Sequence, residues 1–578
     1  MKGSLNDVRG DVRHFEDAKE ALSKTPNNDG DALENILSHV GEFGRYQKLL
    51  FVGMLPFGFF FAFVYFVQMF IAATPQRHWC RVPELQHLDM ELRRNLTAPG
   101  AAEGGKWDKC STFSANWSQV LLTLTPPDPG TPKVPCQHGW EFELGDIPYH
   151  TVVSERGWVC QYAGYAPTAQ AVFFAGSFIG GLFFGWMADR FGRVPALVGS
   201  NLIGCVGGVA TIFTKELWDF AFCRLLVGMA YDNAFMMMYI LVLEYVGPRQ
   251  RTFVANMSIA LFFGSGCLAL PWLALWMADW RKLLWLTSLP MVVVVLAPLA
   301  VPESARWLLT RGRVNQAVEI LKRFESVNNT KIPEDVLDDF IVSSRQTKQS
   351  NENIITLLKS APLRTTMFLM VFVYMACAVI FDGLVRMSES LGLDFFITFT
   401  LTSATEIPSV TLLALVLDRW GRRTLTCGPL ATAGVLIVIA LFVPKGVTVT
   451  VLAIMARFFI NMSYNAVIQW GTELLPTGVR ALGSSILHMS GYIATAMSPF
   501  IVFSERLWSP LPLLTLGVVA LAASGAALVL PETKGRAMPQ TMADGERIVR
   551  EHSLCGKPEK DDIEVPQWKT EKEKALIT

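Results

Sequence analysis

Three acidic residues lie inside long apolar stretches of this chain. Asp232 is near the middle of the run 218–244, Asp382 ends the segment AVIFD, and Glu406 interrupts the run FTLTSATEIPSVTLLALVL. A carboxylate at the centre of a bilayer costs about 2.5–3.5 kcal/mol on insertion scales, so such a group usually faces an ionic partner or a water-filled path. Because carboxylates attract cations, the three acids favour a path for a solute that is positively charged or carries an amine.

The composition predicts the environment of these acids. The 578 residues are 51% hydrophobic and 17% charged, whereas soluble domains are about 25% charged. The apolar residues come in repeated runs of about 20, each long enough to cross roughly 30 Å of hydrocarbon. We therefore predict an all-α polytopic membrane protein that contacts the lipid bilayer. The formal net charge of zero gives no bulk attraction to nucleic acid.

The sequence offers no pattern that would support catalysis. It contains no nucleotide-binding P-loop, no HExxH or GxSxG motif and no spacing typical of zinc ligands. We therefore expect no catalytic residue, no metal site and no cofactor, and we expect neither an enzyme nor a pump driven by ATP.

Hydropathy divides the chain into twelve predicted spans. Their approximate ranges are 49–73, 167–187, 195–214, 218–244, 252–277, 282–300, 364–385, 396–417, 424–443, 447–471, 481–503 and 511–530. The short loops with Arg190 and Arg193, with Arg249 and Arg251, and with Arg419 would all lie on one side, which the positive-inside rule assigns to the cytosol. The N-terminal tail 1–46 and the C-terminal tail 533–578 are then cytosolic, and the long loop 74–166 is extracellular.

The long loop carries its own signs of an extracellular location. Two glycosylation sequons begin at Asn95 and Asn116. The loop also contains four cysteines, an even number that is compatible with two disulfides in an oxidising compartment. Their connectivity is open at this stage; they are Cys80, Cys110, Cys136 and Cys160. These features predict a glycoprotein of the plasma membrane.

Internal similarity divides the spans into two halves of six. The motif around Asp189 and Arg193 after the second span is repeated around Asp418 and Arg422 after the eighth. The halves are residues 47–300 and 364–532, joined by a cytoplasmic connector, 301–363, that is rich in Lys and Arg. Two copies of a six-span unit indicate a pseudo-symmetric transporter whose substrate site lies between the halves near the midplane.

Several motifs together resemble those of solute carrier family 22. They are HVGEFGRYQ before the first span, the long loop with cysteines, EYVG at 244, PESARWL at 302, ELLPT at 473 and PETKG at 531. The resemblance covers nearly the whole chain and implies the major facilitator fold, with twelve helices in two pseudo-symmetric halves. It also implies transport of organic cations, zwitterions or anions. Within the family the chain looks most like invertebrate members that handle carcinine and β-alanine.

The charged motifs at the cytoplasmic ends are spaced for salt bridges between helices. We predict that they form a gate that holds the inner side shut and opens when the halves rock. The alternative is a static role in topology and stability. The residues are Asp189, Arg193, Glu244 and Arg251 in the first half, and Asp418, Arg422, Glu473 and Arg480 in the second.

The resemblance also marks candidate substrate positions in the spans. Cation carriers of the family tend to have Asp, and anion carriers Arg, at the position that matches Tyr492. Neither is present here, so the sequence argues against organic anions and moves cation recognition to Asp232 and Asp382. The further candidates are Tyr239, Phe381, Glu406, Asn465 and Gln469.

Each membrane acid also has a structural interpretation. Asp232 lies eight residues after Arg224, about two helical turns, so the two side chains could form a buried ion pair. Asp382 could lie at the solvated membrane edge, and Glu406 could serve the backbone break expected at Pro408. Asn465 and Gln469, four residues apart, could instead join helices.

The function that we expect is transport of small organic cations or zwitterions by alternating access. The first span contains no Asp or Glu, which favours facilitated or potential-driven uptake. The alternatives are a carrier for organic anions and a non-transporting receptor or scaffold that keeps the fold.

Overall fold

The computed structural model describes residues 29–101, 107–346, 354–536, 538–539 and 541–551. The parts of the predicted tails at 1–28 and 552–578, and the part of the connector at 347–353, lie outside these residues. Contacts between residues divide the chain into two compact units. The smaller unit comprises 1–53, 239–255 and 299–350, and the larger unit comprises 54–238, 256–298 and 351–578.

Twelve helical segments of the described chain are long and apolar enough to cross a membrane, which confirms the predicted fold class. We number them span one to span twelve: Arg45–Ile71, Cys160–Phe191, Arg193–Thr211, Leu217–Tyr245, Arg249–Met277, Trp280–Ala300, Ala361–Glu389, Phe395–Trp420, Arg422–Ala440, Val447–Leu474, Leu482–Arg506 and Leu511–Leu528. All or most of each span belongs to the larger unit.

Four spans consist of α-helices joined by a break or by a π-helix. Span one contains Arg45–Gly53 and Leu55–Ile71, and span four contains Leu217–Ala230 and Asn233–Tyr245. Span five joins Pro248–Met257 to Gly264–Met277 through a π-helix, and span eight consists of Phe395–Ala404 and Glu406–Trp420. Helix breaks inside a membrane are tolerated where they are buried in protein or line a cavity.

The remaining spans are simpler. Span six combines Trp280–Ser288 and Ala297–Ala300 with a 3₁₀ segment between them. The other long helices are Tyr165–Phe191, Arg193–Thr211, Ala361–Arg386, Arg422–Ala440, Val447–Leu474, Thr477–Phe503 and Leu511–Leu528.

In the larger unit, span two packs closely on span four because glycines remove side chains from the contact. A Cβ added to Gly176 or Gly180 would lie 2.2 Å from a backbone oxygen of span four. The six-span halves meet where span two contacts span eleven and where span five contacts span eight. Small residues allow such close helix approach in membranes, where burial of apolar surface does not drive association.

The described residues of the long loop between spans one and two, 72–101 and 107–159, form a small folded region at one end of the larger unit, which we call the loop end. Strand His78–Cys80 pairs antiparallel with Trp140–Phe142, and Ser111–Phe113 pairs with Lys133–Pro135. The loop also contains the helices Met90–Thr97, Trp117–Thr123 and Val152–Arg156. Two disulfides, Cys80–Cys136 and Cys110–Cys160, use the four cysteines that the sequence marked.

The smaller unit contains the helices Asp29–Val40, Ala305–Thr310, Val314–Asn328 and Glu334–Gln346. Asp29–Val40 packs on Glu334–Gln346, and Arg45–Gly53 packs on Val314–Asn328. Asn328 connects these segments, because its side chain accepts a hydrogen bond from the Tyr46 amide at 2.8 Å and donates to the Val40 carbonyl at 3.1 Å. The larger unit also contains the short helices Ile354–Lys359 and Met542–Arg550.

Candidate functional site

Asp232 lies at the break in span four, between the helices that end at Ala230 and begin at Asn233. Its carboxylate accepts a short hydrogen bond from the hydroxyl of Tyr492 in span eleven. The imidazole of His488, one turn before Tyr492, interacts with it electrostatically. Within the described residues, no Arg or Lys forms an ion pair with Asp232, so a phenol and an imidazole are the polar groups around a membrane-embedded acid.

Asp382 has a different environment. It is fully buried in span seven, and Arg386 on the next helical turn pairs with it at 2.5 Å. The hydroxyl of Tyr65 in span one donates to the same carboxylate at 2.8 Å. The charge of Asp382 is therefore compensated inside the protein, and Asp382 does not lie at a solvated membrane edge.

Glu406 is also paired. It begins the second helix of span eight, and its carboxylate accepts a hydrogen bond from Arg457 of span ten at 2.7 Å. Arg457 lies over the ring of Phe381 at 3.3 Å and donates to the Phe381 carbonyl. The break in span eight falls at Thr405, three residues before Pro408. Pro408 is then in the first turn of a helix, where the missing amide hydrogen removes no helical bond.

Four tyrosines interact with the acid in span four, and a fifth stacks on one of them. We call all five the tyrosine cluster: Tyr65, Tyr231, Tyr374, Tyr464 and Tyr492. The rings of Tyr65 and Tyr231 stack at 5.0 Å, and Tyr231 meets Tyr492 edge to face at 6.3 Å. Tyr374 and Tyr464 stack at 5.4 Å, with their hydroxyls 3.2 Å apart. The cluster combines residues of both halves and presents aromatic faces and hydroxyls near Asp232.

The other candidates from the sequence are placed differently. Phe381 packs on Tyr464 at 5.2 Å, beside the cluster. Asn465 donates to the Asn461 carbonyl on its own helix at 2.9 Å, and Gln469 donates to Asn256 of span five at 3.2 Å. Gln469 thus joins two helices, as the structural interpretation expected, whereas the Asn465 hydrogen bond stays within its own helix. Tyr239 belongs to the smaller unit, and its role in the site stays a prediction.

Sequence reasoning missed Gln68, a polar residue in span one of the first half. Arg224 does not contact Asp232; its Nε donates to Gln68 of span one at 2.8 Å. Within the described chain, the Nε2 atom of Gln68 has no hydrogen-bond partner. The same is true of both polar atoms of the Gln170 side chain in span two. The signal in the sequence was a lone glutamine within the apolar run FVYFVQMFI.

A cavity of about 870 Å³ opens between the two halves at the loop end. Gln68, Gln170, Arg386 and Glu389 line its inner part, and Arg506 and residues of the folded loop line its outer part. The cavity therefore extends from the loop into the membrane-spanning region.

The predicted gate residues of the second half form one network at the end of the larger unit opposite the loop. Arg422, near the start of span nine, lies 3.0 Å from both Asp418 and Glu473. Thr533 donates to Glu473 at 2.6 Å. Arg480 donates to the Leu475 carbonyl at 3.2 Å, and burial lowers its pKa from the usual value for arginine.

The gate residues of the first half fall in both units. In the larger unit, Arg193 lies 3.1 Å from Asp189 on the preceding turn. In the smaller unit, Ser304 donates to the carboxylate of Glu244, and Arg251 donates to the Val246 carbonyl at 3.4 Å. A gating function for all eight residues stays a prediction.

The two glycosylation candidates differ in exposure. Asn116 and Ser118 are both exposed at the start of the helix Trp117–Thr123. Asn95 is partly buried within a helix, and the hydroxyl of Thr97 is bonded to the Arg93 carbonyl at 2.8 Å.

Comparison with known proteins now adds to this geometry. The family model for sugar (and other) transporters matches residues 161–542. Solute carrier family 22 member 1 of Oryctolagus cuniculus is 32% identical over 536 residues, which cover 90% of this chain and 96% of the relative. The chain belongs to solute carrier family 22. Its fold and family are those of membrane transporters of the major facilitator superfamily, not of enzymes.

Two other transporters are similar over comparable lengths. The carcinine transporter of Drosophila melanogaster is 31% identical over 89% of this chain and 79% of its own length. The β-alanine transporter of the same organism is 30% identical over 90% of both chains. A solved structure of a proton:xylose symporter has a TM-score of 0.58 at 15% identity, covering 87% of this chain and 98% of that chain. At this identity the likeness shows the fold alone.

Proposed function

We propose that this family member transports small organic cations or zwitterions by alternating access, with Asp232 as the counter-ion of the substrate ammonium group. The observation that carries the proposal is the difference among the three membrane acids. Asp382 and Glu406 each have an arginine partner, whereas Asp232 has the hydroxyl of Tyr492. An acid that is not neutralised internally gains most from binding a cation, because the low dielectric strengthens the attraction.

The tyrosine cluster supplies the rest of an ammonium site. A cation over an aromatic face gains roughly 0.5–2 kcal/mol, depending on its desolvation. Tyr231 and Tyr492 lie beside Asp232 in sequence and space, respectively, so an ammonium at the carboxylate would contact their rings. Tyr492 occupies the position at which cation carriers of the family tend to have Asp and anion carriers Arg. Its neutral phenol donates to Asp232, the acid to which we assign recognition of the substrate cation.

Two hydrogen bonds join the halves at this depth, Tyr492 to Asp232 and Tyr65 to Asp382. A substrate ammonium at Asp232 competes with the phenol and weakens the first of these bonds. The cavity at the loop end reaches into the membrane-spanning region from that side, and at the other end of the larger unit Arg422 of span nine is paired with Glu473 of span ten. This arrangement supports an outward-facing form in which the gate residues close the inner side.

The relatives support an amine as substrate. The names of two similar proteins specify carcinine and β-alanine, both of which carry an ammonium group. No Arg occupies position 492, so nothing in the described site favours an organic anion alone. We also propose a plasma-membrane location with both termini in the cytosol, and glycosylation of the loop, at Asn116 more than at Asn95.

The test is uptake by the full chain expressed in oocytes, with surface protein measured by biotinylation. The panel contains a monoamine, a zwitterion and an organic anion, each measured at two membrane potentials and two external pH values. We expect uptake of the amine-bearing compounds and not of the anion, with cation uptake increasing as the interior becomes more negative. Uptake of the anion alone, or of nothing despite normal surface expression, would overturn the proposal.

A further inference from the structure

The proposed ammonium site leaves one buried cation in span four without a role. Arg224 is 0% exposed, and both its Nη atoms lack a hydrogen-bond partner within the described residues. No carboxylate in that part of the chain forms a salt bridge with it, and the ring of Phe173 lies 5.2 Å from its guanidinium carbon. Buried polar groups are nearly always hydrogen-bonded, and buried charges are nearly always paired. The guanidinium therefore has N–H donors for which the described residues supply no acceptor.

Two glutamines connect this cation with the loop-end cavity. Gln68 accepts from Arg224 and also lines the cavity, as does Gln170. Both glutamines are at most 3% exposed, and each has an Nε2 atom without a partner in the described chain. Together with Arg224 they provide several N–H donors beside a cavity large enough for a small solute, whose inner lining also includes Arg386 and Glu389.

The outer part of the cavity also suits an anionic group. Arg506 lines it and, among the described residues, contacts the ring of Phe503 and forms no ion pair. An approaching carboxylate thus meets an unpaired cation at the rim before it reaches Arg224. A purely cationic solute gains nothing from either arginine.

We propose that Arg224, Gln68 and Gln170 form a subsite for a carboxylate, so that the preferred substrates are zwitterions. This inference rests on the proposed function, because the ammonium end of the same substrate is assigned to Asp232. Arg224 lies in the first helix of span four, and Asp232 lies at the break that follows it. A short ω-amino acid carries a carboxylate at one end and an ammonium group at the other, which matches one charge to each residue.

The test uses two probes that differ at one group, β-alanine and its neutral amide, β-alaninamide. The variant is Gln68→Glu, which places a carboxylate where the Gln68 oxygen already accepts from Arg224. The built-in carboxylate occupies the guanidinium and repels that of the substrate. The control is Gln76→Glu. Gln76 lines the same cavity, but its side chain is exposed and, unlike that of Gln68, accepts no hydrogen bond from a buried arginine of the described chain.

For Gln68→Glu, we expect the ratio of β-alanine uptake to β-alaninamide uptake to fall at least about tenfold, as for the loss of a charge-assisted hydrogen bond. For Gln76→Glu, the ratio should change less than about twofold, as for an exposed charge. An unchanged ratio in Gln68→Glu, or an equal fall in both variants, overturns the subsite. Gln170→Leu gives a second reading, with a smaller fall in the ratio expected.

Two further outcomes separate the possible sources of the anion and the two proposals. Replacing chloride with isethionate should leave uptake of both probes unchanged. Amide uptake that requires chloride, and loses this requirement in Gln68→Glu, would assign the subsite to an inorganic anion and overturn the assignment to substrate. If the wild type takes up β-alaninamide but not β-alanine, the subsite is overturned and the amine transport is not. If the wild type takes up neither probe and no other amine, both proposals are overturned.

Discussion

The fourth span of each half buries an arginine, Arg224 in span four and Arg457 in span ten, but the two arginines have different partners. Arg457 has Glu406 as an ionic partner at 2.7 Å. Arg224 has the neutral Gln68 at 2.8 Å. Both guanidinium groups are at most 1% exposed. The same residue is thus internally neutralised in one half and left as an unpaired cation in the other.

This difference shows how a symmetric fold can divide its tasks. A buried charge that is already paired inside the protein serves the structure and is not available to bind a ligand. A buried charge without a partner is costly unless something binds it. The acids follow the same division, because Asp382 and Glu406 are paired in the second half, whereas Asp232 in the first half accepts from a phenol. We infer that the first half supplies the ionic contacts of the substrate.

The largest expected effect comes from removing the two arginines separately. Arg457→Met leaves Glu406 buried without its partner, and breaking a buried ion pair in this way costs about 3–5 kcal/mol. Arg224→Met leaves no unpaired carboxylate, so its thermal unfolding midpoint should stay close to that of the wild type or rise. Thermal unfolding of the purified proteins in detergent measures both midpoints.

The double variant with Arg457→Met and Glu406→Gln is the control for this first prediction. It removes the buried charge that the single variant leaves behind, and it should recover much of the lost stability. If Arg224→Met were as unstable as Arg457→Met, Arg224 would also have an ionic partner, and the difference between the halves would not hold.

A smaller effect is expected at the end opposite the loop, where Arg422 contacts two acids of unequal burial. The side chain of Glu473 is 15% exposed and that of Asp418 is 80% exposed. Glu473→Gln should therefore reduce uptake severalfold by weakening closure of the inner side, since a hydrogen bond to a charged group contributes about 1.5–3 kcal/mol. Asp418→Asn should change uptake less than about twofold, because exposed pairs contribute roughly 0.3–0.5 kcal/mol. Equal losses in the two variants would contradict a gate centred on Glu473.

The smallest effect is expected in the folded loop, where burial lowers the pKa of His78 from 6.5 to about 4. Between these two values the unfolded loop binds a proton that the folded loop does not, so stability falls as the pH is lowered. From pH 7 to pH 5 the loss should be about 1–2 kcal/mol. After correction for the intrinsic exchange rate at each pH, the protection of the strands His78–Cys80 and Trp140–Phe142 against hydrogen exchange should fall from pH 7 to pH 5 in the wild type more than in His78→Gln. An equal loss of protection in both proteins would rule out His78 as the cause.

The sequence was sufficient for the spans, the six-plus-six division and the cysteines of the loop, since each depends on length, charge or type of residue. It was insufficient for the partners of the buried charges. The pairing of Arg224 with Asp232 assumed one continuous helix, whereas span four breaks at Tyr231 and Asp232. Glu406 meets Arg457 only because spans eight and ten pack together. Which helices face each other is a property of the tertiary structure, which spacing along one helix does not contain.

The central claim is that Asp232 binds the ammonium group and that Asp382 does not. The direct measurement is initial-rate uptake of β-alaninamide by Asp232→Asn and Asp382→Asn, normalised to the amount of each protein at the cell surface. We expect Asp232→Asn to lower kcat/KM about tenfold to a hundredfold, as for a lost charge-assisted hydrogen bond, and more than Asp382→Asn does. The assignment would be contradicted if Asp232→Asn took up β-alaninamide at the wild-type rate while Asp382→Asn lost uptake.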